Sequence, residues 1–167
     1  MANAAGPPPP SPAELAQRAY NQLRLPSPAI RTNPPGEQMV SVPTWLWMTR
    51  GSWKPVSATA SVPGVSVTAT ARPTSVTWSM GDGRKVACKG PGTPFKKGMN
   101  PKSASPDCGH TYRSSSAGQP DEAFPVKATI SWTVTWSGAG DSGTFPGLTT
   151  TASATFRVAE SQALNIR

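Results

Sequence analysis

Acidic side chains are scarce in this sequence: 8 Asp and Glu stand against 16 Lys and Arg, for a formal net charge of +8 over 167 residues. No acidic cluster accompanies Asp82, which argues against a hard-cation site there, because calcium takes several oxygen ligands at once. His110 is the only histidine, and the 2 cysteines lack CxxC-type spacing, so a zinc centre would be short of ligands. Neither a GxSxG elbow nor an HExxH helix occurs, so catalysis is not expected and no cofactor is implied. No apolar run approaches the ~20 residues of a membrane span. Residues 1–6 lack the basic and apolar regions of a signal peptide, so an export signal, if the chain is exported, is expected upstream of Met1. No fixed-period repeat suggests a solenoid.

What is present is a β-former's composition, rich in Thr, Ser, Val, Ala, Gly and Pro, with only 14% charged residues and 6 tryptophans. Residues 1–10 read as a proline-rich linker in extended conformation. Ser11-Pro12-Ala13-Glu14 then matches a capping box, and Leu15, Ala19 and Leu23 recur on one stripe, predicting a helix that ends before Pro26. Pro26, Pro28, Pro34 and Pro35 predict an extended strap without regular structure, so that helix and strap occupy residues 11–37. Residues 39–48 are apolar at nearly every position and interrupted by Pro43, which suits an edge strand with Trp45 and Trp47 on one face.

Period-two alternation runs through most of residues 38–160. Val56, Ala58, Ala60 and Val62 alternate with Ser and Thr before a Pro63-Gly64 turn; Val65, Val67, Ala69 and Ala71 follow, and Pro73 separates them from Val76, Trp78 and Met80. Val126, Ala128, Ile130, Trp132, Val134 and Trp136 face one way along the clearest strand. Residues 137–143 read as a flexible loop, and Ala152, Ala154, Phe156 and Val158 resume the pattern before a tail at 161–167. About seven short strands with one helix predict an all-β domain of two packed antiparallel sheets.

The segments Val76-Thr77-Trp78-Ser79-Met80-Gly81-Asp82-Gly83 and Cys108-Gly109-His110-Thr111-Tyr112 locate that domain further. They resemble the PKD (polycystic kidney disease) domain, an immunoglobulin-like sandwich whose aromatic strand ends in a Phe-Gly-Asp-Gly turn and is followed by His-Thr-Tyr; Met80 stands where that Phe is usual. The resemblance covers roughly residues 56–158. It implies an adhesion, spacer or protein-binding module, secreted or at the cell surface, and a structural role for Gly81, Asp82, Gly83, His110 and Tyr112. The composition also looks like that of exported proteins of high-GC Gram-positive bacteria.

Cys88 and Cys108 flank a Gly-, Pro- and Lys-rich stretch without apolar periodicity. A disulfide there would restrict the unfolded chain by ~3 kcal/mol in the chain-entropy account, with two free thiols as the alternative. Arg84, Lys85, Lys89, Lys96, Lys97, Lys102 and Arg113 fall in or beside this stretch against Asp107, and together form a candidate surface for a cell-surface polymer, an acidic glycan or an acidic protein. Nucleic acid is disfavoured, because Phe95 is the one aromatic interleaved with the charges between Arg84 and Lys102. Trp45, Trp47 and Trp53 are either core residues or a platform for sugar rings or a protein partner. The Leu15, Ala19 and Leu23 stripe is a candidate for docking a partner in a secreted assembly.

Overall fold

The computed structural model describes residues 8–160. The expected tail at 161–167 and most of the linker at 1–10 lie outside the described residues. In chain order the elements are α1 (Pro12–Asn21), β1 (Ile30–Asn33), β2 (Gln38–Met39), β3 (Thr44–Met48), β4 (Val56–Val62), β5 (Val65–Ser79), β6 (Lys85–Cys88), β7 (Gly109–His110), β8 (Phe124–Gly138), β9 (Asp141–Phe156) and β10 (Val158–Ala159). The fold is therefore mostly β with a single α-helix among the described residues. Strand order is β4-β5-β8-β9 in the largest sheet, with β6 also on β5, and β1-β3-β7 in a second. The β1–β3, β3–β7, β4–β5 and β5–β6 pairings are antiparallel. A third, two-stranded pairing of β2 with β10 is parallel, a departure from the all-antiparallel expectation.

The chain divides into two compact units, one built from Met1–Leu25, Pro55–Arg72 and Thr133–Leu148, the other from Pro26–Lys54, Pro73–Trp132 and Thr149–Arg167. In the first, α1 begins as its sequence predicts. Ser11 Oγ accepts from the Glu14 N–H at 3.1 Å, and Glu14 Oε1 accepts from the Ser11 N–H at 2.8 Å, which satisfies two donors that the helix leaves open. Leu15, Ala16 and Ala19 are fully buried, and the helix packs on β4. The stripe expected to meet a partner is thus covered within its own unit. β4 and β5 form the expected hairpin, register Val62↔Val65, across Pro63 and Gly64. Hydroxyl pairs Thr59–Thr68 at 2.7 Å and Ser57–Thr70 at 3.1 Å line its open face.

One loop and one strand break predicted from sequence are absent as such. Residues 137–143 are mostly strand, because β8 runs to Gly138 and β9 starts at Asp141. Ala139 and Gly140, at φ +54° and +77°, make a two-residue hairpin turn of the kind whose twist matches the strands it joins. Gly138 lies so close to β5 that a Cβ there would come 2.3 Å from the Ser66 carbonyl oxygen. Pro73, expected to end a strand, sits inside β5. Pairing with β4 stops at Ala71 and pairing with β6 starts at Val76, so the missing N–H falls where that edge has no partner. The buried positions change parity across this gap, from Val67, Ala69 and Ala71 to Val76 and Trp78.

The second unit holds the larger core, with Trp78, Trp132, Tyr112, Leu46, Met80 and Ile130 nearly or wholly enclosed. Val126, Ala128, Ile130, Trp132 and Val134 alternate inward along β8 as predicted, whereas Trp136, in the first unit, remains partly exposed. The strap is not free of regular structure: between Pro28 and Pro34, β1 pairs with β3. The expected single edge strand at 39–48 is split, since Ser41 takes φ +68° and turns the chain between β2 and β3. β3 is central rather than at an edge, flanked by β1 and β7. Ten strands replace about seven among the described residues, because short pairings such as β2, β7 and β10 leave no periodic signature.

Candidate functional site

Some of the residues that sequence singled out converge in the second unit. β5 ends at Ser79, and the chain reverses through Met80-Gly81-Asp82-Gly83 into β6, with the Met80 N–H donating to the Arg84 carbonyl at 3.0 Å. Gly81 has φ +82°, and a Cβ there would lie 2.6 Å from the Pro125 carbonyl oxygen, so conformation and space both require glycine. Asp82 uses both oxygens: Oδ1 accepts from the Arg84 N–H at 3.0 Å, and Oδ2 lies 2.7 Å from His110 Nε2. The Asp–His contact joins the β5–β6 turn to β7. Among the described residues, no side-chain hydroxyl or thiol hydrogen-bonds the histidine.

Tyr112 completes the corner. Its hydroxyl donates to the Met80 carbonyl at 2.9 Å, its ring stacks on Phe124 with centroids 5.0 Å apart, and His110 meets its edge at 4.7 Å. The side chain is fully buried. Burial, and secondarily the charge on Asp82, pushes the phenol pKa up. Gly81, Asp82, Gly83, His110 and Tyr112 thus form one hydrogen-bonded corner.

Cys88 and Cys108 are disulfide-bonded. The bond ties the end of β6 to the residue preceding β7, and so links the two main sheets covalently within this unit. The enclosed loop, expected to be held by the disulfide alone, is built onto β3 at several points. The Trp45 Nε1–H donates to the Ser103 carbonyl at 2.7 Å, Phe95 meets the Trp45 ring edge-on at 5.0 Å, and the Met48 N–H donates to the Pro91 carbonyl at 2.8 Å. Thr93 Oγ1 donates to Asp107 Oδ1 at 3.0 Å across the loop. Asp107 and Ser105 were not singled out as site residues; the short Ser-Pro-Asp run was the available signal, since Ser105 Oγ bonds both the Asp107 carboxylate and the Cys108 N–H.

A depression of about 660 Å³ opens beside this corner, lined among others by Arg84, Lys85, Arg113, Asp82, Asp107 and His110. The three cations are exposed and form no ion pair among the described residues. Only part of the expected basic surface is gathered here: Lys89, Lys96, Lys97 and Lys102 are exposed on the loop but do not line the depression. The tryptophans also separate. Trp45 is buried and pins the loop, so it is not a platform, whereas Trp47 and Trp53 remain half-buried in a second groove. Among the described residues no group of three or more His, Cys, Asp and Glu could hold a metal ion. No described helix is long and apolar enough to cross a membrane.

No family model matches this chain, and no curated protein or solved structure matches it.

Proposed function

We propose that this chain is a PKD-like, immunoglobulin-type β-sandwich module of a secreted or cell-surface protein, and that it binds an anionic partner, polymer or protein, without catalysis. The carrying observation is the open depression where Arg84, Lys85 and Arg113 form no ion pair among the described residues, with Arg84 on the turn held by Asp82 and His110, Lys85 at the start of β6 and Arg113 next to Tyr112. A concave basic surface concentrates anions. The disulfide supports an oxidising location. A PKD-like sandwich is supported by the Gly-Asp-Gly turn, the His110 and Tyr112 contacts to it, and the two sheets. Docking through α1 is not favoured, because Leu15 and Ala19 are buried.

The test is binding to an anionic polymer, such as dextran sulfate or poly-glutamate, against a neutral dextran across a salt series. Wild type should bind the anionic polymer and weaken with salt. The triple variant Arg84→Ala, Lys85→Ala, Arg113→Ala, confirmed folded by circular dichroism, should lose most of that affinity. Equal binding by the triple variant, or none by wild type, refutes the proposal.

A further inference from the structure

The groove around Trp47 and Trp53 is a separate feature with chemistry of its own. It has a volume of about 500 Å³, and its lining includes Trp47, Trp53, Arg50, Lys54, Pro91 and Pro94. Trp45 and Trp47 share a face of β3 by the period of a strand. The disulfide-closed loop covers Trp45 and reaches the backbone of Trp47, leaving the Trp47 residue half-buried. That edge of the loop is pinned: Gly92 lies so close to β3 that a Cβ would sit 2.3 Å from the Leu46 carbonyl oxygen and 2.9 Å from Trp47 Cα. The groove wall is therefore set by backbone contacts already made in the free protein.

The indole N–H groups and the cationic side chains of the groove form no hydrogen bond or ion pair among the described residues. Of the indole N–H groups, those of Trp45 and Trp132 donate to protein oxygens, and that of Trp78 is enclosed without a partner. The N–H groups of Trp47 and Trp53 have no protein acceptor among the described residues and are not enclosed, so both are open to a ligand. Arg50 and Lys54 are exposed and form no ion pair among the described residues. Arg31, directly opposite Trp47 in the antiparallel β1–β3 register, projects from the same face of that sheet.

We propose that this groove binds an acidic saccharide, with pyranose rings against the indoles of Trp47 and Trp53 and carboxylates facing Arg50 and Lys54. An apolar ring face, hydroxyls that accept from indole N–H, and negative charge at sugar spacing occur together in uronic-acid polymers. A proline-rich or purely apolar peptide would leave both cations unanswered, and an inorganic polyanion would leave both indoles uncovered. The site is distinct from the basic depression of the preceding section, and either can exist without the other.

The experiment is titration of the full chain with oligogalacturonate, with a neutral xylo-oligosaccharide and with polyphosphate, read by tryptophan fluorescence and calorimetry. Wild type should bind oligogalacturonate more tightly than either of the others. Trp53→Ala and the pair Arg50→Ala, Lys54→Ala should each weaken binding about tenfold or more, as loss of an anchor residue does. Because the basic depression would itself take up an anionic polymer, the oligogalacturonate and polyphosphate titrations are compared in the triple variant at Arg84, Lys85 and Arg113, where the preference for oligogalacturonate and its dependence on Trp53 should persist. Trp47→Ala removes part of β3 packing, so it is interpreted only beside Trp53→Ala, with near-ultraviolet circular dichroism confirming the fold. Unchanged affinity in folded Trp53→Ala, equal binding of polyphosphate, or no binding of oligogalacturonate at millimolar concentration would each overturn the assignment.

Discussion

Tyr112→Phe removes one oxygen from the most interconnected corner of the molecule, and the structure sets both its cost and its pH dependence. The hydroxyl donates to the Met80 carbonyl at 2.9 Å, and both residues are fully buried. Without it, that carbonyl loses a donor where water does not readily replace it, which costs ~1–3 kcal/mol at neutral pH. Ring stacking on Phe124 is retained, so the change isolates the hydrogen bond. The phenol pKa is raised in the folded protein above its ordinary value of 10.0, chiefly by burial and secondarily by Asp82. Above pH 10 the unfolded chain therefore releases this proton while the folded chain keeps it. Wild-type stability contributed by Tyr112 is complete below pH 10 and declines as pH rises toward the folded pKa, by at most ~1.4 kcal/mol per pH unit. The phenylalanine variant lacks this decline. Every other side chain is common to the two proteins, so the difference between them reports Tyr112. Urea denaturation of both proteins at pH 7, 10 and 11 measures it. The expected result is a lower midpoint with unchanged m at pH 7 and a gap that narrows by pH 11. Equal stability at pH 7, or a gap that does not change with pH, would refute the reasoning.

Replacing Cys88 and Cys108 together by Ser should lower stability by ~3 kcal/mol in the chain-entropy account, and should speed protease cleavage within residues 89–107; denaturation and limited proteolysis read the two effects. Gly81→Ala should destabilise much more than Gly64→Ala, since both have positive φ but only Gly81 would drive a Cβ against Pro125, and comparison of their urea midpoints checks this. The Glu14 carboxyl is held below its ordinary pKa of 4.5, chiefly by the Ser11 backbone hydrogen bond and then by its hydroxyl. Its capping contribution is present above pH 4.5 and lost as pH falls through the lowered value, so helical circular dichroism should fall in acid in wild type and less steeply in Glu14→Gln. A helical signal equally acid-sensitive in both proteins would count against the capping role.

Much of this architecture was legible in residue order because its signals are local. The Ser11 to Glu14 cap, the β4–β5 hairpin and the alternation along β8 each depend on neighbours within a few positions, and each appears as expected. Pro73 misled for the same reason. A proline reads as a break until the partner strands are known, and here the gap between β4 and β6 accommodates it. The Pro28–Pro34 interval misled likewise, because β1 is a strand through its pairing with β3 and not through any pattern of its own.

The chemistry of the ends divides in the same manner. Residue order sufficed to read Asp82 as a turn residue and Tyr112 as a corner residue and to pair the two cysteines, whereas the contact of His110 with Asp82 joins segments distant in the chain and was not legible. Which lysines gather around a depression, and which tryptophan is enclosed, depended on how the loop at 89–107 lies on β3. That loop is placed by contacts between residues far apart in the chain, such as Trp45 with Ser103 and Gly92 against Leu46. Period and composition describe an element's own faces; they carry no information on what a distant segment brings against them, and exposure is settled by that second surface.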